Sequence, residues 1–306
     1  MVLETLALPF FLNVRGCPPT CAVSHLNIRD MKLKKLLTPV VVALVAGVAV
    51  LSAPIESLAD EALKAAIESD KRTPAFVARD SARHPYETLT FFGIQPTMTV
   101  VELSPGGGWY TEILAPYLRD QGTYIAAAYR EDSPRENRRG YTANFKKKLA
   151  ADPERFDKVK LTVFEPPTHL DYAPAGGADV VLTFRNLHNW LSYGDENMKR
   201  VFQSVYDTLK PGGIFGVVEH RLPESVPQDA TASSGYMHES YVIKLAESVG
   251  FELEAKSEIN ANPKDTADHP NGVWALPPSY RNKEVDRARY EAIGESDRMT
   301  LKFVKK

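Results

Sequence analysis

Thr99-Val-Val-Glu-Leu-Ser-Pro-Gly-Gly-Gly-Trp-Tyr-Thr111 carries the pattern that decides the fold. Val100, Val101 and Leu103 form a short apolar run that contains one acid, Glu102, and breaks at Ser104-Pro105. A run of this length bounded by turn residues reads as a buried strand. The glycines that follow let the chain turn sharply and let a ligand approach main chain that no Cβ shields. Glu102, Ser104, Gly106 and Gly108 fall at alternate positions, and Tyr110 onward reads as a helix. A turn between a strand end and a helix start is where open α/β sheets receive nucleotide-like ligands. The spacing is not the dinucleotide fingerprint, and no Gly-Lys-Ser/Thr follows to grip a phosphate.

Outward from this turn, strands and helices alternate. Further strands are expected at 122–129, 160–164, 179–184, 214–219, 251–259 and 299–304, and helices at 60–69, 85–92, 110–118, 137–151, 195–209 and 238–249. Asp179-Val-Val-Leu-Thr-Phe184 is apolar enough for burial on both faces. Alternation of this kind implies right-handed crossovers and a mostly parallel sheet. Residues 262–297, between the last two strands, are rich in proline and turn residues and are expected to form a lid-like insertion.

The chain has 306 residues, 43% of them hydrophobic, and a formal net charge of −2. That balance carries no basic footprint for nucleic acid. Met31-Lys-Leu-Lys-Lys-Leu-Leu37 opens a basic stretch, an apolar run extends to Leu51, and Ser57-Leu58-Ala59 offers small residues before Asp60. Together these predict a signal peptide at 31–59, with 1–30 an upstream extension and 60–306 the mature domain in the periplasm or outside the cell. The apolar run is shorter than the roughly 20 residues a spanning helix needs, and a retained anchor is the alternative. Both cysteines, Cys17 and Cys21, precede Met31, so the mature domain would have neither a disulfide nor a cysteine metal site.

Leu209-Lys-Pro-Gly-Gly-Ile214 before a strand, and Ala178 to Trp190 ending in Arg-Asn-Leu-His-Asn-Trp, complete a set of three motifs in order. With them the chain resembles class I S-adenosylmethionine-dependent methyltransferases over nearly all of 85–306. More narrowly, Ser-Pro-Gly-Gly-Gly-Trp-Tyr-Thr, Arg-Asn-Leu-His-Asn-Trp and Gly235-Tyr-Met-His-Glu-Ser240 resemble a group of exported predicted methyltransferases. The resemblance implies a Rossmann-like α/β fold. Its mostly parallel seven-stranded sheet would have an antiparallel last strand and helices on both faces. The cofactor implied is S-adenosylmethionine, with Glu102, Ser104, Gly106 and Gly108 on its methionine and ribose side, Glu165 at the adenine, and Arg185 and Asn186 beneath it. The second strand ends Ala128-Tyr-Arg-Glu-Asp132, without an acid where the family holds the ribose, and Glu131 or Asp132 is the nearest substitute.

Four of the seven histidines occupy suggestive places: His188 after the fourth strand, His220 at the end of the fifth, His238 at the next helix and His269 in the insertion. The ends of the fourth and fifth strands are neighbours in such a sheet, so His188 and His220 should meet in the ligand crevice. Histidine can take a proton near neutral pH, and Glu219, Glu239, Asp265 and Asp268 are available to orient the rings. His188, His220 and His238 are therefore the candidate catalytic residues, and no histidine pair has a metal-binding spacing such as H-E-x-x-H. Trp109, Trp190, Trp274 and Tyr236 are candidate pocket walls. The expected activity is methyl transfer to a small molecule with a histidine as general base. The runner-up is a lyase, isomerase or hydrolase of the same fold that uses the histidines, with or without a metal. A non-catalytic binder of a small ligand is a third reading. Address and cofactor pull apart here, because S-adenosylmethionine is a cytosolic compound and the leader carries no twin-arginine signal for export after folding.

Overall fold

A computed structural model of the chain describes residues 55–306. Residues 1–54, with most of the expected leader, lie outside the described part. The expected cleavage point after Ala59 falls inside the helix Ile55–Ile67.

The quoted segment forms strand β1 (Thr99–Leu103), followed by the glycine turn and the helix Thr111–Leu118. Seven further strands follow: β2 (Thr123–Ala128), β3 (Lys160–Val163), β4 (Ala178–Phe184), β5 (Leu209–Leu222), β6 (Met237–His238), β7 (Phe251–Ser257) and β8 (Arg298–Lys305). Their order across the sheet is β3-β2-β1-β4-β5-β8-β7, with the two-residue β6 paired to the end of β5. The pairs from β3 to β5 are parallel, and β8 runs antiparallel to both of its neighbours.

The sheet separates two apolar layers by simple alternation. Val101, Leu103, Val181, Phe215 and Val217 face one side. There they meet the helix Asp195–Thr208, whose Met198, Val201, Phe202 and Val205 recur at helical spacing and are buried. Val100, Val180, Leu182 and Val218 face the other side, against Ile113 and Leu114 of the helix Thr111–Leu118 and Leu89 and Phe92 of the helix Pro85–Phe92. Gly216 in β5 permits that contact, since a Cβ there would lie 2.7 Å from Leu182 and 2.9 Å from Phe92.

Three details differ from the reading of the sequence. The fifth strand starts at Leu209, and Lys-Pro-Gly-Gly forms an irregularity between the pairs Ala178–Leu209 and Val180–Ile214. The insertion at 262–297 contains a 3-10 turn, Gly272–Ala275, and a helix, Arg287–Ile293. A short helix, Leu187–Leu191, follows β4 and carries His188.

Candidate active site

Two parallel strands bend outward at their carboxyl ends to open the site. Ser104 after β1 and Arg185 after β4 both adopt left-handed backbone, with φ of 52° and 60°. Each keeps one bond to the next strand while turning away: Ser104 N–H to the Ala127 carbonyl at 2.8 Å, and Arg185 N–H to the Val218 carbonyl at 2.7 Å. Such backbone is costly for residues with a Cβ and gathers at functional sites. The cleft that results has a volume of about 520 Å³. Its walls include Ser104, Gly106 and Trp109 from the glycine turn, Arg185, Asn186 and His188 after β4, His220 on β5, and Trp274 from the insertion.

His188 and His220 meet there, with ring centroids 5.4 Å apart. Glu219, fully buried on β5, accepts from His188 Nδ1 at 2.9 Å and from the main-chain N–H groups of Leu187 and His220 at 2.6 and 2.8 Å. A carboxylate at Nδ1 puts the proton on that nitrogen and leaves Nε2 of His188 bare to accept one. His220 differs. Its Nδ1 lies 2.6 Å from the Ser296 hydroxyl, which also accepts from Arg298 Nε at 3.2 Å. Burial, with His188 and then Arg298, Arg185 and Arg83 nearby, holds its pKa well below the ordinary histidine value. His220 is therefore a neutral hydrogen-bonding group. The ligand atoms of His188, Glu219 and His220 all lie within 4.8 Å of one another. Arginines facing the same space oppose a cation at this trio.

Several expected contacts are absent from the cleft walls. His238 is turned to the surface loop, its Nε2 2.7 Å from the Val226 carbonyl and its N–H donating to Gln228. The helix it precedes starts one residue late, which points the ring outward along the strand pair with β5. Glu102 lies beneath the turn, where Tyr124 donates to its carboxylate. It shares the sheet face of Val100, so alternation directs it at the helix layer. Glu165 accepts from Arg138, Ser133 and the Arg130 N–H. Glu131 is exposed and pairs with Lys146 at 2.7 Å. Gly108 faces Phe145 and Lys148, which a Cβ would meet at 3.0 and 3.2 Å. Asn186 does line the cleft, and its amide donates to the Leu103 carbonyl at 3.1 Å, tying the ends of β1 and β4 together. Among the aromatic candidates Trp109 and Trp274 are cleft walls. Trp190 is buried in the core, and Tyr236 donates to Asp265. His269 also bonds Asp265, at 2.8 Å.

No family model matches the chain, and no curated protein does. Solved structures match its architecture. The (4+2)-cyclase SpnF is 13% identical over 81% of this chain and 94% of its own, with a TM-score of 0.52. The fold is the Rossmann-like fold of class I methyltransferases. Also similar are geranyl diphosphate methyltransferase in complex with S-adenosylmethionine (14% identity, 79% and 95% coverage, TM-score 0.49) and a methyltransferase from Aquifex aeolicus (16%, 67% and 91%, 0.46).

Within this methyltransferase fold the cleft sits at the carboxyl ends of the parallel strands, the customary ligand position. Its chemistry is strongly one-sided. Arg79, Arg83, Arg135, Arg138, Arg185 and Arg281 all contribute to its walls, and no carboxylate does among the described residues. The sequence concealed this, because Arg79 lies 216 residues from its partner Glu295, and Arg79 and Arg83 lie more than 100 residues from Arg185.

Proposed function

We propose that the chain is an S-adenosylmethionine-dependent methyltransferase acting on a small molecule, with His188 as general base. The observation that carries this reading is the Glu219–His188 pair standing in a cleft at the glycine turn of a methyltransferase fold. Two features suit the methionine half of the cofactor. The Ser104 hydroxyl is buried without a partner, and a Cβ at Gly106 would have nothing within 4 Å, so the main chain there is open to a ligand. Ser104, Gly106 and Asn186 would hold it. When bound, the cofactor supplies an electrophilic methyl group. The protein's own work is then placement and proton removal: Glu219 fixes the imidazole, His188 Nε2 takes the proton of a hydroxyl or amine, and the arginines stabilise charge that develops on the nucleophile.

A second reading has its own support. The three acids expected at the cofactor, Glu102, Glu131 and Glu165, are all bonded elsewhere. Tyr129 rather than an acid stands where β2 ends. SpnF is described as a cyclase, and a fold does not dictate its chemistry. On this reading the same base serves a lyase, isomerase or hydrolase that needs no methyl donor.

Calorimetric titration with S-adenosylmethionine and its demethylated product separates the two. Binding of both at micromolar concentration is expected. Absence of binding at millimolar concentration removes the methyltransferase and leaves the second reading. Export by a cleaved leader remains our proposal from residues 31–59, and N-terminal sequencing of the protein from its native cell tests it.

A further inference from the structure

The cleft adjoins a recess of about 210 Å³ that shares Arg79, Arg83, Arg185, His220 and Trp274 with it. Four arginines, Arg79, Arg83, Arg185 and Arg298, converge on this recess with a single carboxylate, Glu295. Glu295 is already taken. Arg79 Nε lies 2.5 Å from it, Arg83 Nε 3.5 Å, and Arg298 donates to it as well. Arg83 is only 3% exposed, and its Nε has no hydrogen-bond partner. Its guanidinium rests on the Trp109 ring, 4.7 Å from the centroid. Arg185 forms neither an ion pair nor a side-chain hydrogen bond among the described residues, yet its backbone is held in the left-handed region where it lines the recess.

Buried guanidinium groups without counter-charge are costly. Burial and the neighbouring Arg185 push the Arg83 pKa well below the ordinary arginine value, and burial with Arg298 lowers Arg185 to about 10. Four cations against one carboxylate leave a surplus that a bound anion would satisfy, and guanidinium forks match the oxygens of phosphate and carboxylate groups. The histidine on this wall agrees. The Ser296 hydroxyl accepts from Arg298 Nε and has its own proton to give to Nδ1, the tautomer in which neutral His220 carries its proton on Nε2 as a further donor.

We propose that this recess binds a dianionic phosphate-monoester group of the substrate, and so presents the adjoining nucleophile to His188. The inference rests on the reading of the cleft as the active site, and not on the identity of the methyl donor. A dianion would also offset the repulsion that the arginines exert on a sulfonium cation in the same cleft.

Inorganic phosphate is the probe, titrated calorimetrically into the full chain at constant ionic strength. One phosphate per chain should bind at least tenfold more tightly than acetate. Arg185→Gln should weaken phosphate at least tenfold without lowering the melting temperature of the ligand-free protein, since no partner is lost. Saturation with S-adenosylhomocysteine should leave phosphate affinity within about threefold. Equal affinity for acetate overturns the dianion, and an unchanged Arg185→Gln variant overturns the site. Loss of phosphate binding with S-adenosylhomocysteine bound also overturns it, because the recess would then hold the amino-acid carboxylate of the donor. Phosphate binding with no affinity for S-adenosylhomocysteine supports the recess and contradicts only the methyltransferase reading. The reverse result contradicts only the recess.

Discussion

Glu219 is the residue on which the proposed chemistry turns, because it fixes both histidines from one buried position. Its oxygens accept from one imidazole and from main-chain N–H groups on two elements, the segment after β4 and β5 itself. Glu219→Gln keeps the shape but sets an amide N–H₂ against those donors. A loss of stability of about 1–3 kcal/mol is expected in urea unfolding, with a change in the His188 tautomer by nitrogen NMR. An unaltered Nδ1–H signal for His188 would contradict the assigned pair. The pair was partly legible in the sequence. His188 and His220 sit at the ends of adjacent strands, so topology alone brings them together. His238 was misplaced because position after a strand does not fix which way a ring turns.

Among the elements, β1 and its turn have two separate duties. The turn opens main chain at Gly106, and the strand buries Glu102 under it. Burial is the largest influence on Glu102 and raises its pKa from 4.5 to about 7, against the lowering effect of Tyr124 and Arg185. A carboxyl raised in the folded state contributes stability that is full below pH 4.5 and is lost as pH climbs to about 7. His220 acts with the opposite sign over the lower part of that window, since a neutral buried histidine contributes stability that is lost as pH falls below 6.5. The wild-type slope alone therefore decides nothing. The difference between Glu102→Gln and wild type does: the variant should gain relative stability between pH 4.5 and 7, by about 3 kcal/mol in all. Parallel pH profiles of urea unfolding would show that Glu102 is ionised and tied into the turn after all. The family resemblance assigned Glu102 to the cofactor, whereas along β1 it shares the sheet face of Val100 and lies under the turn.

At the scale of the molecule, fold and chemistry were legible to different degrees. The succession of strands and helices along the chain follows from periodicity and turn residues, which are local signals, and β1 to β5 lie close to their expected positions. The arginine-rich recess was hidden, because Arg79, Arg83, Arg185, Arg298 and Glu295 come from segments far apart in the chain. The near-neutral net charge conceals it too, since Lys and Arg total 37 against 39 acids while the cleft itself has no carboxylate among the described residues. The insertion at 262–297 supplies Trp274, Glu295 and Ser296 to the recess. The central claim is that main chain at Gly106 receives the donor opposite His188. Titration of S-adenosylmethionine against wild type and Gly106→Asn tests it most directly, since a Cβ there meets no protein atom within 4 Å and asparagine tolerates the left-handed backbone of Gly106 (φ 59°) better than other side chains. Micromolar binding by wild type, and a loss of at least tenfold in the variant, is the predicted result. Equal affinity in the two proteins, or none in either, would contradict it.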